Sequence, residues 1–207
     1  RRQRQMCIRD SWWTHDRFGL FIHWGLYAMP ARHEWVKSRE KMSDEHYNRY
    51  KNLFNPDLYN PEEWAYMAKA AGVKYMVFTT KHHDGFCLWD SPSTTYDVAS
   101  SSNTTDIVAE VSKACRKYGL QFAVYYSLWD RKEPSFHDKD KTKYIDFMCS
   151  QLTELLTNYG EVCELWLDGG WARSVKDWDL PRVYKLVKEL QPYCCLLYTS
   201  PSPRDCS

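Results

Sequence analysis

One plan recurs four times along the 207 residues and limits what they can fold into: a short apolar run, a polar loop and an amphipathic helix, with a glycine ahead of the second, third and fourth runs. The first run is Phe18 to Trp24 (F-G-L-F-I-H-W), closed by Gly25. A short apolar run bounded by glycine is how a strand buried on both faces reads. A long connection with one short predicted helix, Ser43 to Leu53, leads to Asn60-Pro61-Glu62-Glu63. That tetrapeptide opens a helix. Asn caps the free amides, Pro suits the first turn, and the acids face the positive end of the helix dipole. Trp64, Met67, Ala68 and Ala71 make its apolar stripe, and Gly72 ends it.

The second strand, Lys74 to Thr80, runs into K-H-H-D-G-F. A helix from about Thr105 to Tyr118 follows, with Ile107, Val108, Val111, Ala114, Cys115 and Tyr118 at helical spacing and Gly119 as its stop. Then come a third strand, Leu120 to Ser127, a helix from Lys141 to Tyr159, and Gly160. The fourth strand is Val162 to Asp168; Asp179 and Pro181 open the next helix, and Tyr193 to Leu196 begins a fifth strand. This alternation is a parallel α/β plan. A doubly wound sheet gathers its ligand at one switch point, whereas a barrel gathers all its strand ends around one mouth. Here polar and aromatic residues follow every strand, which favours the barrel. A complete (β/α)8 barrel takes roughly 250 residues. The expectation is therefore a TIM-like barrel truncated to roughly its first four βα units, over residues 1–195. Residues 196–207 (L-L-Y-T-S-P-S-P-R-D-C-S) abandon the pattern and read as adapter- or vector-derived sequence.

Net charge is +1, from 28 basic and 27 acidic residues without a long run of either sign. That balance argues against nucleic acid or a membrane surface as partner, and no apolar run reaches the length of a membrane span. The eight cysteines, Cys7, Cys87, Cys115, Cys149, Cys163, Cys194, Cys195 and Cys206, form no C-x-x-C pair and no zinc-type spacing with histidine. Buried free thiols are expected, and no metal or cofactor. With 10 Trp and 15 Tyr, aromatic content is 16%. That suits a large aromatic core, or rings that stack on the apolar faces of sugars.

The residues with chemistry in them collect at the strand ends. Asp168 ends the fourth strand in E-L-W-L-D-G-G-W; an acid is costly inside a core but sits well at the mouth of a parallel sheet. Gly169-Gly170 let a ligand or backbone come close, which weakens the alternative of a helix cap or a salt bridge. Trp166 shares the face of Asp168, because strand side chains repeat every two residues. His23 caps the first strand, and His82 and His83 end the second; adjacent residues reach one cavity only where a strand breaks into loop. Glu34-Trp35 lies in the long first connection, and of Tyr125 and Tyr126 one points outward into helix packing. Neutral donors, aromatic walls and an ionisable carboxylate suit a glycosidase. That chemistry needs two carboxyls, one protonating the leaving oxygen and one acting as nucleophile or base.

In this order, F-G-L-F-I-H-W-G, H-E-W, K-H-H-D-G-F, Y-Y-S and L-W-L-D-G-G-W resemble the α-L-fucosidases of glycoside hydrolase family 29, over about residues 11 to 195 and closest to their bacterial branch. The resemblance implies a (β/α)8-like barrel that releases terminal α-L-fucose from fucosylated glycans with retention. It places the nucleophile at Asp168 and the fucose-binding groups at His23, Glu34, Trp35, His82, His83, Tyr125 and Trp166. In this family the general acid/base and a site arginine come from the second half of the barrel, so no acid/base residue is expected in this chain and the fragment is expected to be inactive. The resemblance also carries an expectation of a secreted, periplasmic or lysosomal protein whose leader precedes residue 1. Two other readings stand beside it: a metal-dependent barrel hydrolase using His23, His82, His83 and Asp168, and a carbohydrate-binding homologue without catalysis.

Overall fold

The computed structural model describes residues 11–198. Five strands, β1 (Gly19–Ile22), β2 (Tyr75–Lys81), β3 (Gln121–Ser127), β4 (Glu164–Asp168) and β5 (Cys195–Tyr198), form one sheet in sequential order. Every neighbouring pair is parallel. An order that never reverses has no switch point of the kind an open doubly wound sheet uses. It is the order of successive strands in a barrel wall.

The helices are α1 (Ser11–His15), α2 (Val36–Arg39), α3 (Asp44–Leu53), α4 (Pro61–Ala70), α5 (Ile107–Lys117), α6 (Thr142–Asn158) and α7 (Leu180–Leu190). Their starts follow from local chemistry. The side chains of Ser43, Asn60 and Asp106 each accept from the amide three residues on, at 3.2, 3.1 and 2.8 Å. Asp106 also accepts from the Tyr159 hydroxyl at 2.8 Å, tying the start of α5 to the end of α6. Gly72, Gly119 and Gly160, one ahead of each of β2, β3 and β4, all have positive φ, the left-handed conformation that ends a helix.

Alternation along the strands divides the core. Met76, Phe78, Phe122, Val124, Leu165 and Leu167 pack into the main cluster with α5, α6 and α7 residues such as Val111, Leu152 and Val187. Full burial of a side chain of this size contributes about 1.5–3 kcal/mol. The opposite face holds a smaller cluster of Val77, Ala123, Tyr125 and Cys163, with Tyr75, Trp166 and Trp12 against it.

Several details differ from expectation. β1 is shorter than Phe18 to Trp24 because its ladder with β2 stops at Ile22 opposite Phe78. On α4, Met67 is 61% exposed and Ala65 is buried in its place, so the helix turns its small residues, not its longest one, toward the sheet. Asp179 precedes α7 but makes no side-chain cap. β5 takes in Leu196, Leu197 and Tyr198, three residues past the boundary drawn at 195; residues 199–207 lie outside the described residues. All six described cysteines are free, five of them buried, and Cys7 and Cys206 lie outside. No described helix is long and apolar enough to cross a membrane.

Candidate active site

The C-terminal ends of β1 to β4 meet at one rim, and the register aligns their side chains. Ser127 lies opposite Asp168 and Tyr125 opposite Trp166. The Tyr125 hydroxyl donates to Asp168 Oδ2 at 2.6 Å. Burial first, and then the charge of Asp168, raises the Tyr125 phenol far above its ordinary pKa, so it keeps its proton and acts as a donor. Immediately after the carboxylate, Gly169 has φ +84, and a Cβ there would lie 3.1 Å from the backbone nitrogen of Trp129. Both features demand glycine, and they let the chain turn away from Asp168 at once.

His23 follows β1. Its ring centroid is 5.3 Å from Tyr125 and 4.7 Å from His82. Thr79 fixes its protons. The Thr79 hydroxyl lies 3.2 Å from the Ile22 carbonyl and 2.9 Å from His23 Nδ1. A carbonyl only accepts, so the single hydroxyl hydrogen goes to Ile22 and His23 Nδ1–H donates to Thr79. Burial lowers the His23 pKa, partly offset by Glu34 and Asp168. The result is a neutral imidazole with a bare Nε2, an acceptor.

His82 and His83 reach the same rim by a bulge. The β2–β3 register shifts between Thr79 and Lys81, so the extra residue sends Lys81 to the helix side and brings both histidines to the mouth. Their rings are 4.2 Å apart. Burial lowers both pKa values, that of His83 to about 3 with help from Arg131 and Lys37. His83 is held in an aromatic stack, 4.2 Å from Trp35 and 5.4 Å from Trp129. Glu34 shares a cleft of about 340 Å³ with His23, Tyr27 and His33, and its charge reaches His23 and Tyr125. Trp166 sits one layer lower, 5.2 Å from Phe21. All eight residues singled out in the sequence are thus gathered at one end of the sheet.

Other residues of the site carried little signal. Thr79 and Trp129 read as an ordinary strand residue and an ordinary loop residue. Lys81, the first letter of K-H-H-D-G-F, turns out to be wholly buried. It donates to Asp130 Oδ2 at 2.8 Å, the Tyr126 hydroxyl at 2.9 Å and Gln151 Oε1 at 3.0 Å, using all three of its hydrogens. Asp84 is structural too: Tyr47 donates to it at 2.6 Å, and burial raises its pKa to about 6. A larger groove, about 540 Å³, runs between α6 and α7 where Arg182 pairs with Asp146, away from the strand ends. Among the described residues no three His, Cys, Asp or Glu side chains are placed to hold one metal ion.

A family model described as Alpha-L-fucosidase matches residues 3–200. The chain belongs to the α-L-fucosidase family. Alpha-L-fucosidase 1 of Arabidopsis thaliana is 37% identical over 186 residues, 87% of this chain but 34% of the plant protein. The solved structure of α-L-fucosidase isoenzyme 1 from Paenibacillus thiaminolyticus superposes with a TM-score of 0.84 at 43% identity, covering 91% of this chain and 49% of that one. A Bacteroides thetaiotaomicron family 29 α-L-fucosidase, trapped as a covalent intermediate with 2-fluoro-fucosyl fluoride, gives 0.82 at 36% identity over 87% of this chain and 46% of that one. The chain spans a third to a half of the length of these α-L-fucosidases, and its parallel α/β fold is that of the corresponding part of their structures.

Proposed function

We infer that the complete protein carrying this segment is a retaining α-L-fucosidase whose nucleophile is Asp168 and whose barrel continues beyond the five strands. The observation that carries this reading is the Asp168 carboxylate at the end of β4, gripped through one oxygen by Tyr125 and close enough to His23 to act on its charge, with His82 against His23. In the first step a carboxylate oxygen attacks the anomeric carbon of a terminal α-L-fucosyl residue. The bond to the leaving oxygen breaks as that oxygen takes a proton from a general acid, leaving a β-linked glycosyl ester on Asp168. Water then attacks the same carbon, gives its proton to the same residue acting as base, and frees α-L-fucose.

His23 Nε2 accepts from a sugar hydroxyl, His82, His83 and Glu34 complete the polar set, and Trp35 and Trp166 supply flat walls. Fucosylated glycans are the substrate class. A retaining pair needs a second carboxyl about 5–5.5 Å from the first. Glu164 lies at the opposite end of β4 from Asp168, and Glu189 is on α7 beside Lys185. Neither suits the role, and Glu34 is assigned to the sugar; the resemblance places the acid/base in the second half of the barrel, outside the five described strands.

The stereochemistry of the first product tests this. Proton NMR of the complete protein acting on an aryl α-L-fucoside shows the α-anomer forming before mutarotation, and the isolated 207-residue chain gives no turnover. The β-anomer forming first contradicts the retaining assignment. Turnover by the isolated chain contradicts the placement of the acid/base.

A further inference from the structure

Tyr27 lies in the single 3-10 turn Leu26–Ala28 that follows Gly25. Gly25 is what admits it. A Cβ at Gly25 would lie 2.8 Å from the Tyr27 ring, so glycine alone lets the ring fold back across the end of β1. There it rests 5.5 Å from the His23 ring and 5.0 Å from that of His82, lining the cleft that also holds Glu34. The residue is only 4% exposed, yet its hydroxyl has no hydrogen-bond partner among the described residues. Thr79 is close enough to influence the phenol, but its hydrogen is committed to Ile22 and one of its two acceptor positions to His23 Nδ1–H, and the Tyr27 hydroxyl makes no hydrogen bond to the other.

A buried hydroxyl without a partner is costly, and each such group calls for an explanation. Nothing in the folding of this segment uses the oxygen, since phenylalanine would fill the same space. Burial, reinforced by the charges of Asp84 and Glu34, keeps the proton on the phenol; the group is a donor waiting for an acceptor. We propose that the Tyr27 hydroxyl is a further sugar-binding group, donating to a hydroxyl oxygen of the glycone held between His23 and His82. His23 Nε2 accepts and Tyr27 donates, which matches the two-way hydrogen bonding of sugar hydroxyls. The inference rests on the fucosidase reading of the site.

The test is Tyr27→Phe in the complete protein, read by inhibition with L-fucose and by thermal melting. The inhibition constant rises about ten-fold, equivalent to about 1.4 kcal/mol. The melting temperature stays level or rises by ~2–4 °C, because an unpaired buried hydroxyl has been removed. An unchanged inhibition constant overturns the proposal. So does a lowered melting temperature, which would mean the hydroxyl has a structural partner. Asp168→Gly assayed in parallel separates the two failures. If that variant hydrolyses at the parental rate, the fucosidase reading has fallen. If it is inactive while Tyr27→Phe binds fucose like the parent, only the assignment of Tyr27 falls.

Discussion

Asp168→Gly in the complete protein lowers kcat for an aryl α-L-fucoside by at least about a thousand-fold, because the nucleophile of the proposed mechanism has no substitute in the site. Folding is retained, since Asp168 is only half-buried at the rim and Gly169 already shapes the turn that follows it. The variant leaves a carboxylate-sized space beside the Tyr125 hydroxyl. Added azide occupies that space, accepts the hydrogen bond that Asp168 Oδ2 now receives, and attacks the anomeric carbon as the aryl oxide leaves. Part of the rate returns, and the product is β-L-fucosyl azide. An aryl leaving group of low pKa departs without protonation, so this rescue does not depend on the acid/base. Parental activity in Asp168→Gly would remove Asp168 from its role.

The second large effect lies behind the site. Lys81 and Asp130 form an ion pair at 2.8 Å with side chains 0% and 2% exposed. Burial alone would lower the lysine pKa, yet Asp130 and its neighbours raise it on balance, so the ammonium stays charged. Asp130 Oδ1 accepts from the amides of Lys132 and Glu133 at 2.8 and 2.9 Å. Tyr126 and Gln151 close the network, with the Tyr126 hydroxyl donating to Gln151 Oε1 at 2.8 Å. Removing one partner strands a buried charge. Lys81→Met therefore destabilises the complete protein by about 3–5 kcal/mol in urea unfolding. Lys81→Met combined with Asp130→Asn recovers most of that loss, because the asparagine oxygen still caps the two amides and no charge is left alone. Equal destabilisation in the single and double variants would show that the pair is not coupled.

Much of this architecture can be read from the residues. The glycines ahead of β2, β3 and β4 mark helix ends because a left-handed φ is needed there, and N-caps at Ser43, Asn60 and Asp106 are local chemistry. Strand period two places Trp166 and Asp168 on one face, and it holds. What escaped depends on contacts distant in sequence. Lys81 looks like part of a polar mouth motif, but a bulge in β2 turns it toward Asp130, 49 residues on. Choosing Tyr125 over Tyr126 needs the register with β4, which period two alone cannot supply. The role of Thr79 depends on His23 curling off the end of β1, and that of Tyr27 on the space left by Gly25. The exposure of Met67 reflects the tight seating of Ala65 and Ala68, a packing choice that a pattern of apolar residues does not record.

The nucleophile claim is most directly tested by trapping. The complete protein is incubated with 2-deoxy-2-fluoro-α-L-fucosyl fluoride, digested and analysed by tandem mass spectrometry. The fluorine slows both steps, and fluoride leaves without protonation, so the glycosyl ester accumulates. The label is expected on the carboxylate of Asp168, within the peptide that also carries Trp166 and Gly169. A label on any other residue, or an unlabelled protein that still consumes the reagent, would contradict the account.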